Sequence, residues 1–431
     1  MSNLFTSNTY VTNTFFPISN PAVDPVYADN IGRPRVVIGS PSVQWNDFNN
    51  DTANSTSYSE AYNGGSIVRN TPQVDATMST GGTTSGNYAY RQKRRWAQIV
   101  PGFSGAWFSS INFRGAQTNV RKRIGMFYRD GSNNPVGVWF ELNGSTFTIN
   151  NGYYNSVGTY TLNQISQSGF NGDHLDGTGP SGGNIANELS NYIPIYIDWG
   201  VLKIGSVRFM LGGSNFITIA HTLSLVGTPN FWLNYAGLPP RYEVENVGTT
   251  SSAGLMNIDG SGISYDTALS PPQNLATFTT GLTTFSPNTA WMPIIGVSLR
   301  SGLPHCSNQI DIYDFDVVDM STTKNTGNQG TEFMFVINPT LTGGSNTTTN
   351  IGKTSQGILY SGGSYTANTG TVLHGGMLAL TAGQTSGGVI TNNSTYGTAI
   401  DNVTPDVVVL MVRAVTGTPL ISAAINLIEY I

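Results

Sequence analysis

The sequence predicts an all-β protein: two β-sandwich or jelly-roll-like domains preceded by an extended N-terminal arm. Three observations predict it. Turn- and edge-forming residues dominate, with 51 Gly among 431 residues and many Asn, Ser and Thr, whereas the residues that build long helices are scarce. Short apolar runs show two-residue alternation, as in Val207, Phe209 and Leu211 against Ser206, Arg208 and Met210. Separators between these runs read as hairpin turns, as in RDGSNN (Arg129 to Asn134) and LGGSN (Leu211 to Asn215).

The first segment, residues 1–87, is rich in Asn, Ser, Thr and Pro and shows no sustained period. Such a stretch cannot close a core by itself and is expected as an arm ordered by lying on neighbouring subunits. Trp45, Phe48, Ile67 and Val68 are its candidate anchors. At Tyr88 the pattern changes. Residues 88–248 carry a run of strand-like segments (GAWFSSINF, RIGMFY, GVWFEL, STFTI, GTYTL, IPIYIDW, SVRFML, FITIAHTL) at the spacing of a sandwich. Residues 249–274 are Gly/Ser-rich, end in Pro271-Pro272 and read as a linker. Residues 275–431 resume strands, and Asp406 to Val415 is apolar on both faces, as a strand covered on both sides would be. No fixed repeat of the β-helix or propeller kind is present.

Composition also bounds function. Only 10% of residues are charged, while aromatics stand at 11%, which argues against disorder. A net charge of −5 gives no reason to expect a nucleic-acid partner. The lone Cys306 excludes an intrachain disulfide. The start MSNLFTSNTY lacks a basic n-region and an apolar h-region, so no signal peptide is expected. The most apolar run, VVVLMV, is too short to span a bilayer, and no membrane partner is expected.

The basic residues cluster: Arg91, Lys93, Arg94, Arg95, Arg114, Arg121, Lys122, Arg123 and Arg129 fall in one stretch. Arginine suits carboxylate pairing across interfaces, so Arg91, Lys93, Arg94, Arg95, Arg121, Lys122 and Arg123 are expected at a subunit contact, with a solvated face as the plainer reading. Nucleic-acid stacking through Trp96, Trp107 and Phe113 is the weaker one, because a core explains those rings. In NQIDIYDFDVVD, Asp314 and Asp316 share a strand face opposite Tyr313, Phe315 and Val317. Paired carboxylates there, or Asp173 with Asp176, could bind Ca²⁺ or serve a depolymerase, but a polar outer strand face and a capped turn explain them.

His174, His221, His305 and His374 are too dispersed for a metal site, and His221 reads as a core histidine. No nucleophile elbow or nucleotide motif is present. No catalytic residue, cofactor or metal is therefore expected. Tyr153 and Tyr154, with Trp232 and Tyr235, are candidate aromatic platforms for a glycan.

Several stretches, taken in order, resemble a family of structural proteins of tailed bacteriophages, of the marine and cyanophage type. They are VPGFSGAWFSSINF, NVRKRIGMFYRDGSNNPVGVWFELNG, LDGTGPSGGNIANELS, YIPIYIDWGVLKIGSVRFMLGG and LPPRYEVENVGTT, then IIGVSLR, FVINPTLTGGS and GGMLAL. The resemblance covers Tyr88 to Ile431 and leaves the arm out. Family members tend to carry a lysine where His174 stands, and a cysteine-containing segment where this chain has Ala253 to Asp266. The resemblance implies a non-enzymatic virion component of the tail, baseplate or head–tail region. Its implied partners are copies of itself, other virion proteins and, for a fibre or adaptor, a host surface glycan.

Overall fold

The computed structural model describes residues 42–46, 58–70, 75–94, 96–98, 104–155, 157–200, 206–224, 237–265, 273–281, 283–300, 309–319, 329–367, 369–380, 385–389, 404–417 and 419–430. The chain forms two compact units, one containing Glu60–Leu269 and the other Ser270–Ile431.

In the first unit the strands begin with β1 (Ser42–Asn46), β2 (Tyr58–Asn63), β3 (Ser66–Asn70), β4 (Asp75–Ser79) and β5 (Tyr88–Lys93). They continue with β6 (Ala97–Gln98), β7 (Gly105–Asn112), β8 (Val120–Arg129), β9 (Pro135–Asn143), β10 (Thr146–Tyr154) and β11 (Tyr160–Ser166). After a short helix α1 (Ile185–Glu188) come β12 (Ile193–Trp199), β13 (Ser206–Gly212), β14 (Ile217–Ser224), β15 (Gly237–Leu238), β16 (Pro240–Asn246) and β17 (Leu255–Tyr265). One sheet runs β14-β13-β12-β7-β17-β4-β3, with β1 added on β17, and the other β11-β10-β9-β8-β16-β5-β2. Among the described residues β8 pairs antiparallel with both of its neighbours, β9 and β16.

Two-residue alternation turns Ile124, Phe140 and Tyr242 of the second sheet toward Trp107, Ile197 and Phe209 of the first. Phe140 meets Phe209 edge-on with ring centroids 5.3 Å apart, and Tyr242 meets Trp107 at 6.3 Å. Fully burying such side chains stabilises by roughly 1.5–3 kcal/mol each.

The second unit holds β18 (Gln273–Thr279), β19 (Met292–Leu299), β20 (Gln309–Asp319), β21 (Gln329–Ile337), β22 (Leu341–Thr342) and β23 (Ser345–Asn350). It ends with β24 (Ser355–Ser361), β25 (Ser364–Tyr365), β26 (Thr371–Leu380), β27 (Thr385–Val389), β28 (Val407–Ala414) and β29 (Ile421–Tyr430). A sheet β18-β29-β20-β27 and a sheet β23-β24-β19-β28-β21-β26 enclose a core of Ile295, Val297, Phe315, Phe333, Leu410 and Ile425, among others. The all-β, two-sandwich architecture expected from composition is the one observed.

Bulges explain where alternation looks broken. On β20 the register shifts between Ile312 and Asp314. Ile310 and Ile312 therefore share the core with Phe315 and Val317 despite their opposite parity. On β17 a shift between Ile258 and Ser261 does the same for Ile258 and Ile263.

Two expected boundaries need correction. Residues 1–87 were expected as an arm, yet β2, β3 and β4 are strands of the first unit's sheets, with Ala76 and Met78 buried. Sparse apolar residues suffice there because the sheets supply the burying surface. Of the anchors named, Val68 is exposed and Ile67 half-buried, while the Trp45 side chain and Phe48 lie outside the described residues. Residues 249–274 were expected as a linker, yet β17 is an eleven-residue strand paired with β7, β4 and β1. Its glycines misled: a Cβ on Gly262 would come 2.4 Å from Phe108 Cζ, so the residue is bare to admit that ring.

Candidate functional site: a charged face on the first unit

The site begins with alternation on β8. Ile124 and Met126 point into the sandwich, so Arg121, Arg123, Gly125, Phe127 and Arg129 share the face turned away from the other sheet. Register places Arg123 between Glu141 on β9 and Glu243 on β16, and Arg121 opposite Glu245. Gly125 sits between Trp139 and Arg241. A Cβ there would lie 2.4 Å from Val138 O and 2.6 Å from Trp139 Cα.

These side chains form one network. Arg129 grips Glu243 with two N–H donors, Nε to Oε1 and Nη2 to Oε2, each at 2.7 Å. Arg241 Nε donates to the same Oε1 at 2.7 Å, and Arg123 Nη1 reaches Oε2 at 3.3 Å. Arg123 Nε donates to Glu141 Oε2 at 2.6 Å, where Trp139 Nε1 also donates at 3.3 Å. Arg121 and Arg129 share Glu245, at 2.7 and 3.3 Å. Tyr90 lies beneath the guanidiniums of Arg129 and Arg241, 4.6 and 5.3 Å from its ring centroid.

Four guanidiniums thus meet three carboxylates, and Arg123, Arg129, Arg241, Glu141 and Glu243 are all buried. Burial pushes the Glu243 carboxyl up. The positive charges of Arg129, Arg241 and Arg123 outweigh burial and hold it well below the usual carboxylate range. Glu245 is likewise raised by burial but lowered on balance by Arg121 and Arg129. Glu243 and Glu245 are thereby held ionised and act as fixed struts.

The residues expected at a subunit contact divide accordingly. Lys122 is buried, donating from Nζ to Phe113 O at 2.6 Å and Gly115 O at 2.9 Å. Burial, with a smaller push from Arg114, brings its ammonium down to about 7. Arg123 is spent on Glu141 and Glu243, and buried Arg91 pairs with Glu60 at 3.1 Å. Lys93 is buried, Arg94 and Arg121 are half-buried, and Arg95 lies outside the described residues. For Arg91, Lys122 and Arg123 the expectation of an intersubunit contact is corrected, because their bonds close within the chain.

Tyr153 and Tyr154 are both half-buried, but adjacent strand residues point to opposite faces and cannot stack on one ring together. Tyr154 bonds the Asp130 carboxylate and meets Tyr160 edge-on at 5.7 Å. Trp232 and Tyr235 lie outside the described residues.

The loop Phe170 to Gly183 is a capped turn. Buried Asp173 accepts from Leu175 N and Ser181 N at 2.8 Å each, and a Cβ on Gly179 would lie 2.2 Å from its Oδ1. Leu175 takes a left-handed φ of 55°. Exposed Asp176 accepts from Thr178, whose hydroxyl and N–H lower its carboxyl. Asn184 caps α1 by accepting from Ala186 N at 3.0 Å. His174 is exposed, while His221 is buried, accepts from Asn171 N at 3.2 Å, and is lowered by burial.

Asp314 accepts from Phe315 N at 2.8 Å and, with Asp316, stays half-buried opposite the buried Phe315 and Val317. His305 and Cys306 lie outside the described residues. Among the described residues no group of three or more His, Cys, Asp or Glu could hold a metal ion. No described helix is long and apolar enough to cross a membrane.

Glu141, Glu243, Glu245 and Arg241 escaped the sequence reading. The signal was present: PRYEVEN sets Arg241, Glu243 and Glu245 on one face, as VRKRIGMFYR does for Arg121, Arg123 and Arg129. Charges alternating with core residues on adjacent strands mark a paired face.

The fold and site define a protein of the β-sandwich class. No family model matches the chain, and no curated protein matches it. Among solved structures it is similar to a legume lectin-like domain from Entamoeba histolytica, at 11% identity and TM-score 0.31 over 48% of this chain and 89% of that one. It is also similar to an endo-1,3-beta-glucanase from Streptomyces sioyaensis, at 12% identity and TM-score 0.36 over 53% and 96%. A beta-glucanase of Bacillus licheniformis gives 11% and 0.33 over 51% and 97%. Likeness at these scores assigns no activity to this chain.

Proposed function

We propose that this chain is a non-enzymatic structural subunit of a bacteriophage virion, in the tail, baseplate or head–tail region. One observation carries the reading: the segments that bear the family resemblance form the framework of two sandwiches. VPGFSGAWFSSINF ends in β7, NVRKRIGMFYRDGSNNPVGVWFELNG spans the β8–β9 hairpin, and LPPRYEVENVGTT contains β16. LDGTGPSGGNIANELS supplies the turn capped by Asp176 and Asn184. Two of them, NVRKRIGMFYRDGSNNPVGVWFELNG and LPPRYEVENVGTT, carry the charged face between them. A building block needs such rigidity.

Mass spectrometry of purified particles of the phage encoding this chain tests it. The chain is expected at a fixed copy number per particle; its absence from washed particles overturns the reading.

A second reading is a glycan-binding module. Tyr154 and Tyr160 favour it, a half-buried ring pair beside Asp130 and Asn134, where Asn134 Nδ2 lies 3.4 Å from the Tyr154 hydroxyl. Aromatic faces next to polar groups suit a sugar. Binding on a glycan array that Tyr154→Ala and Tyr160→Ala abolish would support it, and a silent array removes it.

A further inference from the structure

β23 (Ser345–Asn350, SNTTTN) closes one edge of the six-stranded sheet, and all six of its residues are exposed. Its inner neighbour β24 is anchored: Ser355, Gly357, Ile358 and Tyr360 are buried. A Cβ on Gly357 would meet the Phe278 ring at 2.4 Å. β23 therefore overhangs the sandwich, with neither face against the core. A strand that buries no apolar side chain adds almost nothing to its own fold, since a bare two-stranded pairing is marginal in water.

The edge is also unguarded. Exposed edges are ordinarily blunted by charge, proline or a bulge. β3 carries Arg69, and the opposite edge β26 has a register shift against β21. β23 has no charge and no proline, and its register with β24 runs unbroken from Ser345↔Ser361 to Asn350↔Gln356. Its outward backbone groups form a ready row of donors and acceptors.

We infer that β23 pairs antiparallel with β23 of a second copy of this chain, joining two six-stranded sheets edge to edge. The side chains fit that occupant. Facing residues in an antiparallel pair must both point outward or both inward, so the two-fold axis falls at Thr347 or Thr348. At Thr347 the pairs are Ser345 with Thr349 and Asn346 with Thr348. At Thr348 they are Asn346 with Asn350 and Thr347 with Thr349. Either register sets threonine against threonine at the centre and never opposes like charges.

Every second residue presents both backbone groups, which gives about six new hydrogen bonds across the pair. An interface this small falls below that of a stable soluble dimer, so pairing in solution is weak and gains strength through repetition in an assembly. The inference rests on this edge alone, whatever particle holds the chain.

Disulfide trapping of the full chain tests it. In a Cys306→Ser background, Thr347→Cys or Thr348→Cys is expected to give a disulfide-linked dimer on mild oxidation, because the facing Cα atoms lie within about 5.5 Å. Thr146→Cys, exposed at the start of β10, should not. Sedimentation of Thr347→Lys with Thr349→Lys should raise the dimer dissociation constant about tenfold or more, with the melting temperature unchanged. Equal trapping at Thr146, no trapping at either β23 position, or self-association untouched by the lysines overturns the inference.

Discussion

The two units meet one requirement with opposite chemistry. Each contains a sheet buried on both faces. In the first unit, the face turned from the core is filled by Arg121, Arg123, Arg129 and Arg241 against Glu141, Glu243 and Glu245. In the second, the corresponding face of the sheet holding β28 is apolar: Met334, Val336, Ile358, Tyr360, Val409 and Met411, flanked by Trp291, Leu341, Tyr365 and Val407. The apolar face stabilises by area removed from water and tolerates graded loss. The charged face stabilises only while complete, because each buried ion relies on its partners to offset its desolvation.

The largest expected effect breaks the charged face at its hub. Glu243→Ala removes the carboxylate shared by Arg123, Arg129 and Arg241 and should cost about 3–5 kcal/mol, read from denaturant unfolding of the first unit. Met411→Ala on the apolar face should cost about 3 kcal/mol in the second unit. A Glu243→Ala loss under ~1 kcal/mol would show that the network contributes little. Next comes Gly125→Ala, which sets a Cβ 2.4 Å from Val138 O and should cost about 1–3 kcal/mol by overpacking.

Acidity separates the faces further. The Glu243 and Glu245 carboxyls are depressed, so their contribution is present above about pH 4.5 and is lost as pH falls through their lowered folded values. The penalty of Glu243→Ala should shrink in acid, while that of Met411→Ala should not.

Lys122 gives the opposite slope. Its folded value is lowered to about 7, so the unfolded chain binds the extra proton between about pH 7 and 10.5, and stability should rise across that window. Lys122→Met should flatten the rise, measured as the midpoint of unfolding against pH. Smallest of all, Thr348→Lys on the exposed β23 should change stability by less than about 0.5 kcal/mol.

The same contrast explains what was legible in the sequence. VVVLMV announced a doubly buried strand, and β28 is one, with Val408 and Leu410 in the core and Val409 and Met411 on the other face. VRKRIGMFYR is just as buried, but its charges read as a surface, since pairing with β9 and β16 lies 18 and 120 residues away in sequence. The capped turn around Asp173 and the inward His221 were legible because local rules govern both. The strands β4 and β17 were not, because their pairing partners are distant in the chain and Gly260, Ser261 and Gly262 interrupt the apolar pattern of β17.

We propose that this chain is a building block, with its charged face serving rigidity and its open edge serving contact. A density map of the intact particle, with the chain traced in place, tests it most directly. Repeated copies are expected in fixed positions, with β23 strands of neighbouring copies running antiparallel across a two-fold axis. A particle without the chain, or with β23 facing solvent in every copy, would contradict it.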